Sequence, residues 1–194
     1  MTTQNTDINN TYKSLASSIA DASLLRGTFT LRSGRTSNYY LDKYRFSTKP
    51  EILTQLGDLF KQRIGQIEQS LGDEFGKVNQ LAGAELGGIP LVTVAGISTG
   101  LTTIFVRNAK KDYGTAKQVE GIINEGDTVI FIEDVATTGG QALEAVEVLK
   151  SLGAKVPAMI TVIDREEGAR ENVEAAGLQF HALFTKRDLG VEDE

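Results

Sequence analysis

Cysteine is absent from this 194-residue chain, and with it go disulfides, thiolate nucleophiles and cysteine-built zinc or iron–sulfur centres. A single histidine, His181, excludes a histidine-rich metal site and argues against a Ser-His-Asp triad. Basic residues are the minority, 20 Lys and Arg against 26 Asp and Glu, for a formal net charge of −6. That sign is wrong for a general nucleic-acid binder, though it leaves room for one local basic patch. No apolar run approaches the length that spans a bilayer, and residues 1–10 lack the basic start and apolar stretch of a signal peptide. Their Thr, Gln and Asn read as a frayed polar tail, and a cytoplasmic protein is expected. Internal repeats and low-complexity linkers are missing too.

What remains is an ordinary globular composition, 40% hydrophobic and 24% charged, in a chain long enough for one domain with a real core. Leu15, Ile19, Ala22 and Leu25 recur at helical spacing, which predicts a helix over 12–25. Two short strands, 28–31 and 38–41, flank the turn-like Ser33-Gly34-Arg35. A helix is expected from Pro50 to about Ser70 with Ile52, Leu56, Leu59, Ile64 and Ile67 inward. Strands at 78–82, 102–106, 128–132, 155–163 and 179–184 then alternate with helices at 89–97, 141–152 and 171–176. That rhythm predicts an α/β fold, a mostly parallel central sheet flanked by helices on both faces. Residues 11–194 read as one domain, with approximately 11–45 as a small N-terminal hood and approximately 46–194 as the core.

The richest segment is Phe131 to Gln141, FIEDVATTGGQ. An apolar strand ends in Glu133-Asp134, passes through Val135-Ala136-Thr137-Thr138-Gly139-Gly140 and enters a helix at Gln141. A small-residue loop at a helix N-terminus binds anions because free backbone N–H groups converge there. The two threonines add hydroxyl donors and the two glycines admit close backbone approach. Two carboxylates beside a phosphate cradle repel phosphate, and sugar hydroxyls resolve the conflict. Glu133 and Asp134 can accept hydrogen bonds from a ribose 2′- and 3′-OH while the loop holds the 5′-phosphate, and can stabilise positive charge developing on the ring. The competing reading is an ordinary strand–turn–helix corner capped by Asp and Thr. The segment is neither a Walker loop nor a dinucleotide fingerprint, since Gly-Lys-Ser/Thr and G-x-G-x-x-G are both absent.

FIEDVATTGGQ resembles the 5-phosphoribosyl 1-diphosphate (PRPP) signature of type I phosphoribosyltransferases, and three further segments narrow the resemblance. Gly27 to Asp42, GTFTLRSGRTSNYYLD, is similar to the N-terminal flap of orotate phosphoribosyltransferases, which adenine and hypoxanthine enzymes do not carry. The basic loop 107–117, RNAKKDYGTAK, looks like the family's mobile lid. Val162 to Gly168, VIDREEG, ends a strand with the arginine that matches the family's binder of the orotate carboxylate, a bidentate pairing. The resemblance covers roughly Gly27 to Gly168. It implies a Mg²⁺-dependent enzyme that joins orotate to PRPP, giving orotidine 5′-phosphate and diphosphate in pyrimidine biosynthesis, and a homodimer whose lid crosses to the neighbouring subunit.

By motif position, the resemblance assigns Lys111 to the departing diphosphate as a catalytic residue with Glu133 and Asp134. Arg107, Asn108 and Tyr113 join Lys111 and residues Glu133 to Gln141 around PRPP. Thr137 and Arg165, with Arg32 and Tyr40 of the flap, are the orotate contacts. Magnesium is expected to ride on the substrate and water, without a dedicated protein cage. Three positions depart from the family pattern: Asn108 and Gly87 stand where members often have lysine, and Arg32 replaces a frequent lysine. The rival readings are a purine or xanthine phosphoribosyltransferase, which would share the loop but not the flap, and a non-catalytic nucleotide sensor. Neither nucleic acid nor membrane is expected as a partner.

Overall fold

The computed structural model describes residues 2–30, 34, 36–108 and 118–192. The first helix, α1 (Thr2–Ser23), takes in the segment expected as a tail; neither Pro nor Gly interrupts those residues, so the helical backbone continues through them. Leu15, Ala16, Ile19 and Ala22 of α1 are buried in the main core, so α1 belongs to the core packing rather than to a separate hood. The helix stops two residues short of the expected Leu25. Leu24 and Leu25 instead open β1 (Leu24–Thr30), paired antiparallel with β2 (Thr36–Leu41), where Leu24 faces Leu41 and Leu25 faces Tyr40. This hairpin is a two-stranded sheet of its own and forms the only separate layer among the described residues.

A short helix unforeseen from the sequence, α2 (Lys43–Ser47), joins hairpin to core, with the Asp42 side chain accepting the Tyr44 N–H at 3.3 Å as its N-cap. Pro50 then starts α3 (Pro50–Ser70) at the position where a missing N–H costs nothing. Ile52, Leu56, Phe60, Ile64 and Ile67 form its buried stripe, while Leu59 is only partly covered.

Beyond α3 come β3 (Gln80–Ala84), α4 (Gly88–Thr99), β4 (Thr102–Val106), β5 (Val119–Glu120), β6 (Thr128–Ala136), α5 (Gly140–Ser151), β7 (Lys155–Asp164), α6 (Ala169–Ala175) and β8 (Gln179–Thr185), then a 3-10 turn at Arg187–Leu189. The strand order is β5-β4-β3-β6-β7-β8. Every pairing is parallel except that of the two-residue β5 with β4. Near-continuous apolar strands suit a sheet covered on both faces. On β6, Ile130 and Ile132 join the core under α3 and α4, and Val129 and Phe131 join the core under α5 and α6. The expected α/β layering is therefore observed.

Chain direction sets the site. From β3 the chain moves outward to β4 by way of α4 on one face; from β6 it moves the other way to β7 by way of α5 on the opposite face. The strand order therefore switches between β3 and β6, and a crevice opens beyond their carboxyl ends. β6 also runs four residues past the expected Ile132. Its partner β7 continues the ladder, pairing Thr161 with Glu133, Ile163 with Val135 and Asp164 with Ala136. The acidic pair is thus strand rather than loop, which holds it rigidly at the crevice.

Candidate active site

The crevice contains a cavity of about 580 Å³ between hairpin, α2 and the strand ends. Glu133 and Asp134 line it from β6, Glu85 and Gly87 from the turn after β3, Asn108 from the end of β4, Gln141 from α5, and Tyr40 and Lys43 from the hood side. Asp134 is the deepest, only 1% exposed. Its two carboxylate oxygens lie 2.9 and 3.1 Å from Lys43 Nζ, and one also accepts the Val135 N–H at 2.6 Å. A carboxylate so buried needs such partners, because an uncompensated charge there is costly. Burial pushes the Glu133 carboxyl well above the usual carboxylate range, and the neighbouring Asp134 charge pushes it further, against a smaller opposing pull from Lys43. For Lys43, burial alone would lower the pKa; Asp134 and then Glu133 outweigh it and leave the ammonium held above its ordinary value.

The wall opposite is the tight turn from β3 into α4, where the Glu85–Leu86 peptide is cis. Two glycines let it lie close. A Cβ on Gly83 would stand 2.8 Å from the Gly88 carbonyl oxygen, and one on Gly87 would stand 1.6 Å from Asp134 Oδ2. The absence of a lysine at position 87 thus has a physical reason: with Asp134 seated on Lys43, that position has no room for a side chain.

The anion cradle follows β6 directly. Gly139, at φ 77°, turns the chain into α5, and the Leu143 N–H to Gly139 oxygen bond of 2.9 Å starts the helix. The N–H groups of that first turn have no intrahelical acceptors. Asn172 of α6 braces the loop by donating to the Thr138 carbonyl at 2.9 Å. Ala136 is buried and Thr137 half-buried, while Thr138 and Gly140 are exposed.

One strand over, Arg165 leaves the end of β7, its backbone N–H bonded to the Ala136 carbonyl at 2.9 Å, which sets it beside Thr137. Its guanidinium contacts Glu167 at 2.8 Å and the Tyr39 hydroxyl at 3.2 Å, and lies 5.4 Å from the Tyr39 ring centre. Among the described residues, its buried Nε has no hydrogen-bond partner. Tyr40, the neighbour named from the sequence, points to the cavity instead and packs on Phe29 at 5.7 Å.

The structure therefore gathers Glu133, Asp134, Gln141 and Tyr40 on one cavity, with the loop between Asp134 and Gln141 continuing from it and Arg165 beside that loop. Arg107 stands at its edge, bonded to Glu120 at 2.9 Å and 3.9 Å from Glu85, and the Asn108 N–H donates to Glu85 at 2.8 Å. Arg32, Lys111 and Tyr113 lie outside the described residues. Sequence reasoning missed Lys43 and Tyr39. Lys43 had no local signal beyond following the flap, and its partner is 91 residues away. Tyr39 was detectable only through strand alternation, which puts one tyrosine of the pair on each face.

A mostly parallel sheet with an acidic pair on its switch-point strand and a small-residue loop leading into the next helix is the arrangement of a type I phosphoribosyltransferase. No protein-family model matches the chain. Individual relatives do: orotate phosphoribosyltransferase of Natronomonas pharaonis is 42% identical over 176 residues, covering 90% of this chain and 95% of that protein. Among solved structures, Mycobacterium tuberculosis orotate phosphoribosyltransferase in complex with Fe(III) dicitrate superposes with a TM-score of 0.80 at 30% identity, over 93% of this chain and 99% of that one. The same Mycobacterium tuberculosis enzyme in complex with PRPP gives 0.76 at 28% identity, over 93% and 99% of the two chains. The chain belongs to the orotate phosphoribosyltransferase family, enzymes of the pentosyltransferase class.

Proposed function

We propose that this protein transfers ribose 5-phosphate from PRPP to orotate, giving orotidine 5′-phosphate and diphosphate in the pyrimidine route to UMP. The observation that carries the proposal is one row of strand ends. The diol acceptors Glu133 and Asp134, the cradle at Thr137 to Gly140 and a carboxylate-binding Arg165 follow one another across β6 and β7. A sugar phosphate suits the acidic pair and the cradle together, and an acidic base suits the neighbouring Arg165.

Displacement at ribose C1 builds positive charge on the ring, as in glycoside cleavage. Glu133 and Asp134 accept the ribose hydroxyls and stabilise that charge, while residues Val135 to Gln141 hold the 5′-phosphate. Arg165 and Thr137 orient orotate through its carboxylate and ring polar groups, with Tyr40 against its face and Arg32 assigned there by sequence. Arg107, Asn108, Tyr113 and Lys111 are assigned to the diphosphate, Lys111 as the group that meets its developing charge. Positioning and electrostatics account for the chemistry, since the protein forms no bond to the substrate. Magnesium is the proposed cofactor; it would be held mainly by substrate and water, with the oxygen acceptors Glu133 and Asp134 beside it. The chemistry it would supply is neutralisation of the diphosphate charge.

A homodimer sharing the lid is part of the proposal. Leu86 and Ile97, at the start and end of the α4 region, are 64% and 79% exposed and would gain cover in a partner contact. A cytoplasmic setting is proposed too, because substrates this highly charged do not cross membranes unaided. Diphosphate release from PRPP with orotate, uracil, xanthine and adenine tests the base. Release with orotate alone is expected, and release with a purine but not orotate would replace the proposal with the purine reading.

A further inference from the structure

Among the described residues lining the cavity, three are carboxylates, Glu85, Glu133 and Asp134, and one is a cation, Lys43, while Arg107 stands 3.9 Å from Glu85 at the edge. This is an unusual lining for a site whose proposed substrate carries a phosphate and a diphosphate, and it singles out Lys43. A role for Lys43 toward that substrate rests on the proposed transfer from PRPP. Lys43 does not belong to the loop or flap motifs. It sits at the start of α2, over the Tyr44 ring at 5.6 Å, with Nζ on both oxygens of Asp134.

Within the protein alone, that contact satisfies a buried carboxylate. A ribose brings two hydroxyl donors to the same oxygens, and the ammonium is then free to meet an anion. Lys43 reaches in from solvent, its side chain 37% exposed, so it can swing without unpacking the core. Gly87 carries no side chain, which lets Asp134 lie against the turn after β3, and the cavity that Lys43 and Asp134 line is open beside the pair.

We propose that Lys43 is a PRPP-binding residue that exchanges Asp134 for the diphosphate when the ribose hydroxyls take over Asp134. A ligand carrying both diol and diphosphate satisfies both partners of the broken pair. Inorganic diphosphate satisfies only Lys43 and leaves Asp134 buried with the Val135 N–H but without a counter-charge. The exchange therefore favours PRPP over its own leaving group at the same site.

Steady-state kinetics on Lys43→Met and Lys43→Arg, with thermal melting of each, test this. Lys43→Met should raise the KM for PRPP by about tenfold or more, the effect of losing one charge-assisted hydrogen bond, and leave the KM for orotate within about twofold. Lys43→Arg keeps a cation and should keep the PRPP KM within a few-fold. If Lys43→Met is too unstable to assay, Lys43→Gln carries the same contrast against Lys43→Arg. A folded Met or Gln variant with an unchanged PRPP KM overturns the proposal. So does a loss shared equally by both substrates and both variants in step with melting, which marks Lys43 as structural. An inactive wild type would instead overturn the function itself, so the two failures are distinct.

Discussion

The two ends of the crevice are built differently. Glu133 and Asp134 lie on β6, inside a six-stranded sheet, with β7 bonded alongside and Lys43 clamped onto the buried carboxylate. Tyr39 and Tyr40 lie on a two-stranded hairpin whose residues are largely half-buried or exposed. The end proposed for ribose phosphate is therefore held by the sheet itself, while the end proposed for the base joins Arg165, just past β7, to Tyr39 of the hairpin. On the proposed function, reaction chemistry would sit on the rigid part and base recognition on the part that can vary, a division that loop-borne specificity on fixed scaffolds leads one to expect.

The largest expected effect tests whether chemistry really belongs to the ribose-diphosphate end. Lys111→Ala should lower kcat by about 100-fold or more, as for other preorganised charge stabilisers, with melting unchanged. Mixing it with Arg165→Ala, dissociating and reassociating, should restore about a quarter of wild-type activity, because half the dimers are mixed and each has one intact site. No restoration would place the lid in its own subunit's site. Next in size, Arg165→Ala should raise the orotate KM by about 10- to 100-fold with the PRPP KM unchanged. A shift in the PRPP KM instead would erase the division between the two ends.

Glu133 offers a test through pH. Its folded-state carboxyl is raised, by burial first and Asp134 second, so the folded chain binds this proton more readily than the unfolded chain. That contribution to stability is full below the ordinary carboxylate pKa and declines as pH rises through the raised value. Glu133→Gln has no such decline. It should melt higher than wild type near neutral pH yet turn over more slowly, as scanning melts from about pH 4 to about pH 8 would show. The smallest effect belongs to the hairpin: Tyr39→Phe removes one hydrogen bond to Arg165, and an orotate KM about fivefold higher is expected. Equal KM values would show that Glu167 alone orients the guanidinium.

Much of the site was readable from residues in a row. Four apolar positions before Glu133, the small residues after it and the helix beyond share one local cause, a parallel strand feeding a helix N-terminus. The alternation of strand and helix was readable for the same reason, because buried parallel strands are apolar on both faces. What escaped was set by distance or by competition. Leu24 and Leu25 continue a helical stripe, yet pairing with Leu41 and Tyr40 claims them for the hairpin. The strand reads as ending at the acidic pair until β7 is seen to carry the ladder past it to Ala136. The Lys43–Asp134 pair, the fit of Gly87 against Asp134 and the choice of Tyr39 over Tyr40 for Arg165 exist only once the sheets are stacked.

Orotate loses ultraviolet absorbance when it is joined to ribose, and following that loss tests the account most directly. Purified protein with PRPP and Mg²⁺ should consume orotate and release diphosphate in equal amounts, and should stop when either PRPP or Mg²⁺ is withheld. Orotate left intact under these conditions, while the folded protein still binds PRPP, would contradict the account.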